Sequence, residues 1–154
     1  MPKQVMTRNA GDNVYLHKDF HGALSNGIDF IHERYGAESV RDYLRQFAGA
    51  FYAPLKKDLV RRGLIALQEH YAAVFQAEGG RAHFALSDRE LRIEVELNPA
   101  VQHMRARGYP VAKLYAETIR TVGEALCAGT PFAAKMLGYD EASGRYTQLF
   151  FSQA

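Results

Sequence analysis

The chain has 154 residues, enough for one ordinary domain with a real core, and its 47% hydrophobic and 23% charged residues are those of a globular protein. A formal charge of +2, from basic residues that are scattered and densest only at Lys56-Lys57 and Arg61-Arg62, argues against nucleic acid as a partner. No apolar run approaches the ~20 residues of a membrane span, and the first ten residues lack the apolar middle of a signal peptide, so a soluble cytoplasmic protein is expected.

Residues 1–12 are polar and read as a loose arm, with residues 13–154 as a single domain. The first helix is expected over Asn13 to Tyr35, capped by Asp12 or Asn13 and stopped by Gly36. His17, His21, Leu24, Ile28, Ile31 and Tyr35 recur at helical period, which sets two imidazoles at the upstream end of an apolar face, where they could line the mouth of a cavity. Asp19 and Lys18 sit on other faces and are expected to meet water. Gly22 and Gly27 inside this helix point to a close approach, or to simple tolerance.

A second helix spans about Ala37 to Arg62, with a stripe from Val40 through Tyr43, Leu44, Phe47, Phe51 and Leu55 to Leu59. Pro54 predicts a kink or break near Phe51. Phe47, Phe51 and Tyr52 read first as core packing and second as a ligand box. A third helix runs from Leu64 to about Ala77, with Leu64, Leu67, Tyr71, Val74 and Phe75 inward and Gly79-Gly80 as its end. Glu69 and His70 flank that face and receive no role.

The period then changes to two. Ala82, Phe84 and Leu86 alternate with polar neighbours, as do Leu91, Ile93, Val95 and Leu97, and the pair reads as a hairpin with His83 on its wet side. Asn98-Pro99 opens a short helix, Ala100 to Arg107, that carries His103. A longer helix is expected over Ala112 to Ala128, followed by strands Phe132 to Leu137 and Arg145 to Ser152. The fold class is therefore α+β: N-terminal helices and a four-stranded antiparallel sheet of two hairpins, with two helices between the hairpins. Helices covering one apolar sheet face leave a natural cavity between the layers.

His17 and His21, at i and i+4, could chelate one divalent cation. The segment HKDFH has no glutamate base, and a third ligand would have to come from His103 or Glu117. Without a metal, which is the first expectation, an imidazole remains the usual general base. Cys127 is the one cysteine, which excludes an internal disulfide; at a helix end it reads as a buried thiol before a nucleophile. No phosphate loop and no GxSxG elbow are present.

The words HKDFHGALSNGIDFIHERYG, RDYLRQFAGAFYAPL, NPAVQHMRARGYPV and RTVGEAL resemble the L-2-amino-thiazoline-4-carboxylic acid hydrolase-like family over roughly residues 14–150. HKDFHGAL and HMRARGYPV are the most specific of them. The resemblance implies hydrolytic opening of a small cyclic amidine that carries a carboxylate. A weaker likeness, through Glu124, Cys127 and Gly129 before the last strand pair, is to the 4-vinyl-reductase domain, a small-molecule-binding module. Where relatives carry Cys and His before RTVGEAL, this chain has Ala116 and Thr118, so thiol or metal chemistry of relatives would be missing.

The mechanism these words imply has His21 or His17 deprotonating a water that attacks an sp² ring carbon, with the other imidazole or Glu117 protonating the leaving nitrogen. Arg120 or Arg105 would pair with a substrate carboxylate, unless Arg120 pairs with Glu117. Tyr43, Phe47, His103 and Arg120 are the candidate substrate-binding residues, and His17, His21 and Glu117 the candidate catalytic ones. A non-catalytic small-ligand pocket and a protein-interaction subunit are the competing functions. The exposed sheet edge offers a route to a homodimer.

Overall fold

The structure, a computed structural model, describes residues 18–153. The expected arm at 1–12, the capping residues Asp12 and Asn13, and His17 lie outside the described residues. Four helices come first: α1 (Asp19–Tyr35), α2 (Ala37–Phe51), α3 (Ala53–Arg62) and α4 (Ile65–Glu78). A hairpin follows, β1 (Arg81–Leu86) and β2 (Glu90–Leu97), then α5 (Pro99–Ala106), α6 (Glu117–Cys127), and a second hairpin, β3 (Phe132–Leu137) and β4 (Tyr146–Ser152). The hairpins join through β2 and β4 into one antiparallel sheet of order β1-β2-β4-β3. This is the α+β arrangement that the change of period from 3.6 to 2 predicts. Among the described residues, no helix is long and apolar enough to cross a membrane.

Pro54 divides the second helix in two. It has no N–H to give, and its ring would collide with the carbonyl one turn back, so α2 stops at Phe51 and Pro54 falls in the first turn of α3. Tyr52, at the corner, is drawn inward and packs against both halves of the core. One half gathers Ile28, Val40 and Leu44 with Val101, Met104 and Tyr115. The other sets Leu59, Leu67 and Phe75 against the sheet residues Leu91, Ile93, Val95 and Phe150, with Leu126 and Cys127 of α6. On β2 every second residue, Leu91, Ile93 and Val95, is buried, as the alternation requires.

Two expectations are corrected. The buried residues of α1 are Gly22, Ser25 and Ile28, so its inward face is turned slightly from the predicted stripe; Leu24 and Ile31 are half-buried and Tyr35 is exposed. The cause is the connection after α5, which lies along α1. The Tyr109 ring covers Gly22 so closely that a Cβ there would meet it at 3.0 Å, while no atom lies within 4 Å of one built at Gly27. Ser25 Oγ donates to the Pro110 carbonyl at 2.9 Å and accepts from Ala112 N–H at 2.8 Å. That grip also explains the second correction. Ala112 is held to α1, the chain turns through i to i+3 bonds such as Tyr115 N–H to Ala112 O, and α6 begins only at Glu117.

Asn98 caps α5 as predicted, accepting from Ala100 and Val101 N–H at 3.2 and 3.3 Å. Its amide also donates to Gly144 O at 3.0 Å, which ties α5 to the turn of the second hairpin. Asn98→Ala is expected to destabilise the protein by about 1–2 kcal/mol, at the upper end because the side chain is buried and its loss strands three backbone groups. Urea denaturation checks this, as a lower midpoint with an unchanged slope.

Candidate functional site

An enclosed cavity of about 130 Å³ lies between the helices and the sheet, as the layer architecture anticipates. Helix α4 contributes Tyr71 and Phe75; α6 contributes Thr118, Ile119 and Val122. The floor is Ile93 with Tyr146 and Gln148, and Tyr52 closes the remaining side. Tyr52 also borders a wide, open depression of about 630 Å³ on the outer surface, which takes in Phe51, Pro54, Arg61 and His70. The Tyr52 ring is thus the partition between the outer depression and the inner cavity. His70 meets it edge-on at 5.7 Å, and burial lowers the His70 imidazole.

Among the described residues, the expected catalytic residue His21 acquires a carboxylate partner inside the protein. His21 Nε2 lies 3.0 Å from Glu78 Oε1, and the two side chains are 16% and 6% exposed. Tyr115 Oη lies 3.4 Å from His21 Nδ1. The ring thus faces a carboxylate at Nε2 and a hydroxyl at Nδ1, so both of its nitrogens are engaged. Glu78 is positioned by its place at the last turn of α4, where Gly79 takes the left-handed conformation (φ 76°) and ends the helix. Burial raises the Tyr52 phenol, and the Glu78 carboxylate pushes in the same direction. The Tyr146 phenol is also raised, first by burial, with Tyr139, Tyr52 and Glu78 adding to it. Tyr71 is held well above the usual range, again mainly by burial. None of His21, Glu78 and Tyr115 lines the cavity itself, but Glu78 acts on two of the phenols that do.

The other expected site residues fall elsewhere. Glu117 is buried, with Oε1 accepting from Arg120 at 2.7 Å and facing Arg41 Nε at 3.6 Å, and Oε2 accepting from Thr121 Oγ1 at 2.6 Å. A carboxylate at the start of a helix is favoured there, and this one clamps α6 to α2. Arg120 is thereby committed to Glu117, and Arg105 donates to Glu141 O at 2.9 Å. Tyr43 is exposed on the outside of α2, and Phe47 stacks on Phe51 at 5.3 Å. His103 pairs with Asp19 at 2.8 Å, so Asp19 is not simply a solvated residue as expected, and Tyr109 Oη lies 3.5 Å from the same carboxylate. None of Tyr43, Phe47, His103 and Arg120 lines the enclosed cavity.

Sequence reasoning passed over Glu78 because it follows the last periodic residue of α4. Gln148 did leave a signal: it shares the inward face of β4 with Tyr146 and Phe150, a polar residue at an apolar position. Among the described residues, no group of three or more His, Cys, Asp and Glu is arranged to hold a metal ion.

Cys127 is buried, and burial pushes its thiol up to about 12 against the weak pull of Lys56. The native protein is expected to resist thiol-modifying reagents at mildly alkaline pH and to react fully once unfolded. The protonated thiol favours the folded state fully below its ordinary value of 9.0, and that contribution is lost as pH climbs toward about 12. A denaturation midpoint that falls over this alkaline range checks the sign. Compared with known proteins, the chain matches no family model, and no curated protein matches it.

Proposed function

We propose that the protein is a small-molecule hydrolase that opens a C–N bond of a small heterocycle, a cyclic amidine or amide, with His21 as general acid and base. The observation that carries this reading is the partly buried Glu78–His21–Tyr115 chain, whose Glu78 carboxylate acts on two of the phenols that line the cavity, Tyr52 and Tyr146. The two most specific words of the resemblance support it as well. They meet in space, through His103 and Asp19 and through Tyr109 on Gly22, and His21 lies in the first of them.

In the proposed reaction His21 Nδ1 takes a proton from a water that attacks the sp² ring carbon. Glu78 accepts from Nε2–H throughout and offsets the charge of the imidazolium. The tetrahedral carbon then collapses, the ring C–N bond breaks, and His21 returns the proton to the leaving nitrogen. One water is consumed and the imidazole is restored. The phenols of Tyr52 and Tyr146, kept protonated by burial, are suited to donate to the atom that receives the electron pair, the carbonyl oxygen of an amide or the imine nitrogen of an amidine. Glu117, foreseen as the proton donor, serves in this reading as a positioning residue for α6. The same proposal sets the protein in the cytoplasm and allows it to pair through β1 or β3, the two outer strands of the sheet.

A second reading, a non-catalytic pocket for a small ligand, is favoured by the engagement of both His21 nitrogens with protein groups. Turnover of a panel of cyclic amidines, amides and thiazolines separates the two. The wild type should open at least one ring, and His21→Ala should reduce the rate on the order of 10²–10⁴-fold. Glu78→Gln, whose amide can turn an N–H toward Nε2 and favour the wrong tautomer, should fall in the same sense. A wild type that binds but opens none of them supports the pocket, and a His21→Ala variant as active as wild type refutes the mechanism.

A further inference from the structure

We propose that the outer depression at the corner between α2 and α3 binds a small apolar carboxylate, an aromatic ring system that carries one acid group. Phe51 and Tyr52 form its apolar wall, Lys57 supplies the counter-charge and His70 the hydrogen bond. The site is separate from the enclosed cavity and independent of the reaction proposed for His21.

The break at Pro54 creates this space. Because α3 starts afresh after Tyr52, one stripe of it, Pro54, Lys57, Asp58 and Arg61 at i, i+3, i+4 and i+7, borders the depression, and α4 adds His70. A volume of about 630 Å³ lies within the roughly 300–1,000 Å³ of small-molecule sites. Phe51 is 63% exposed, although the apolar stripe of α2 would turn it inward. Its ring is nonetheless held, stacked on Phe47 at 5.3 Å and edge-on to Tyr52 at 4.9 Å. An aromatic face fixed in this way and left in water is a ready surface for a second ring, since little ordering remains to be done on binding.

The polar groups of the depression are unspent. Among the described residues neither ring nitrogen of His70 makes a hydrogen bond, and neither is shut off from solvent, in contrast to Gln68 Oε1 and Gln148 Oε1. The His70 ring meets Tyr52 at 5.7 Å and Tyr71 at 5.1 Å, both edge-on, which fixes it. Burial lowers its pKa, so at neutral pH it offers an N–H to a carboxylate oxygen without adding charge. The charge comes from Lys57, which is exposed and, among the described residues, has no hydrogen bond or ion pair. Asp58, by contrast, accepts from Arg61 at 2.6 Å and from Arg62 at 3.0 Å, so its charge is offset and that of Lys57 is not. An acid therefore finds a counter-charge here; the enclosed cavity, whose wall has no Lys, Arg, Asp or Glu, offers none.

The test is an NMR titration of the full chain with naphthylacetate, its uncharged amide naphthylacetamide, and the cation naphthylethylammonium. Wild type should bind naphthylacetate saturably, about three- to fivefold more tightly than the amide, with the cation weakest of the three. The signals that move should belong to residues 51–61 and to the His70 ring. Lys57→Gln should remove the preference for the acid over the amide, and Phe51→Ala should weaken both about fivefold. Both side chains are exposed, so these variants keep the fold. No saturable binding of naphthylacetate, equal wild-type affinity for acid and amide, or a preference for the acid that survives Lys57→Gln overturns the proposal. So do unchanged binding by Phe51→Ala and signal changes centred on Ile93, Thr118 and Val122 of the enclosed cavity.

Discussion

The carboxylate of Glu78 is withdrawn from water at the end of α4, and the His21 imidazole is what makes that burial tolerable. An ionised carboxylate stripped of solvent costs several kcal/mol unless a well-placed donor replaces the water, and removing one member of such a pair typically costs about 3–5 kcal/mol. The contact joins residues 57 positions apart and ties α1 to the end of the helical hairpin formed by α3 and α4. It also orients the imidazole, with Nε2 toward Glu78 and Nδ1 toward Tyr115.

Two further constraints bring the walls of the cavity into position. Pro54 interrupts the helical ladder and turns Tyr52 inward, where its ring separates the surface depression from the interior. Glu117 is held by Arg41, Arg120 and Thr121, and so places the first turn of α6, with Thr118 and Val122 following on the cavity side. The surface pairs, such as Arg45 with Asp42 and Arg62 with Glu69, are exposed and contribute little by comparison. The charges that matter for architecture here are the few that are buried.

The cavity combines a hydrophobic frame with unspent hydrogen-bonding capacity. Phe75, Ile93, Ile119 and Val122 are apolar, while the phenols, Thr118 and Gln148 supply polarity from α4, α6, β4 and the corner at Tyr52. A small-ligand site needs that division: apolar area for affinity and a few fixed polar atoms for orientation. His103 and Asp19 form another imidazole–carboxylate pair at the same first turn of α1, with a more exposed carboxylate than Glu78, and they fasten α5 to α1.

Much of this was legible in the residue order. Alternation at Leu91, Ile93 and Val95 and helical spacing at Val40, Leu44 and Leu59 follow from where a Cβ points in each kind of backbone, which is a local property. Pro54 and Asn98 act within one turn, so the break at Tyr52 and the cap on α5 could be read directly. His21 was recognisable as an imidazole at the edge of an apolar face. Its partner was not, because Glu78 comes from another helix and nothing local distinguishes it from a solvated glutamate. The same holds for Glu117, whose burial depends on Arg41 of α2, and for Gln148, whose orphan oxygen exists only because α6 and β4 close around it. Local sequence determined the elements and their inward faces; which polar groups meet, and which is left without a partner, was decided by packing between segments far apart in the chain.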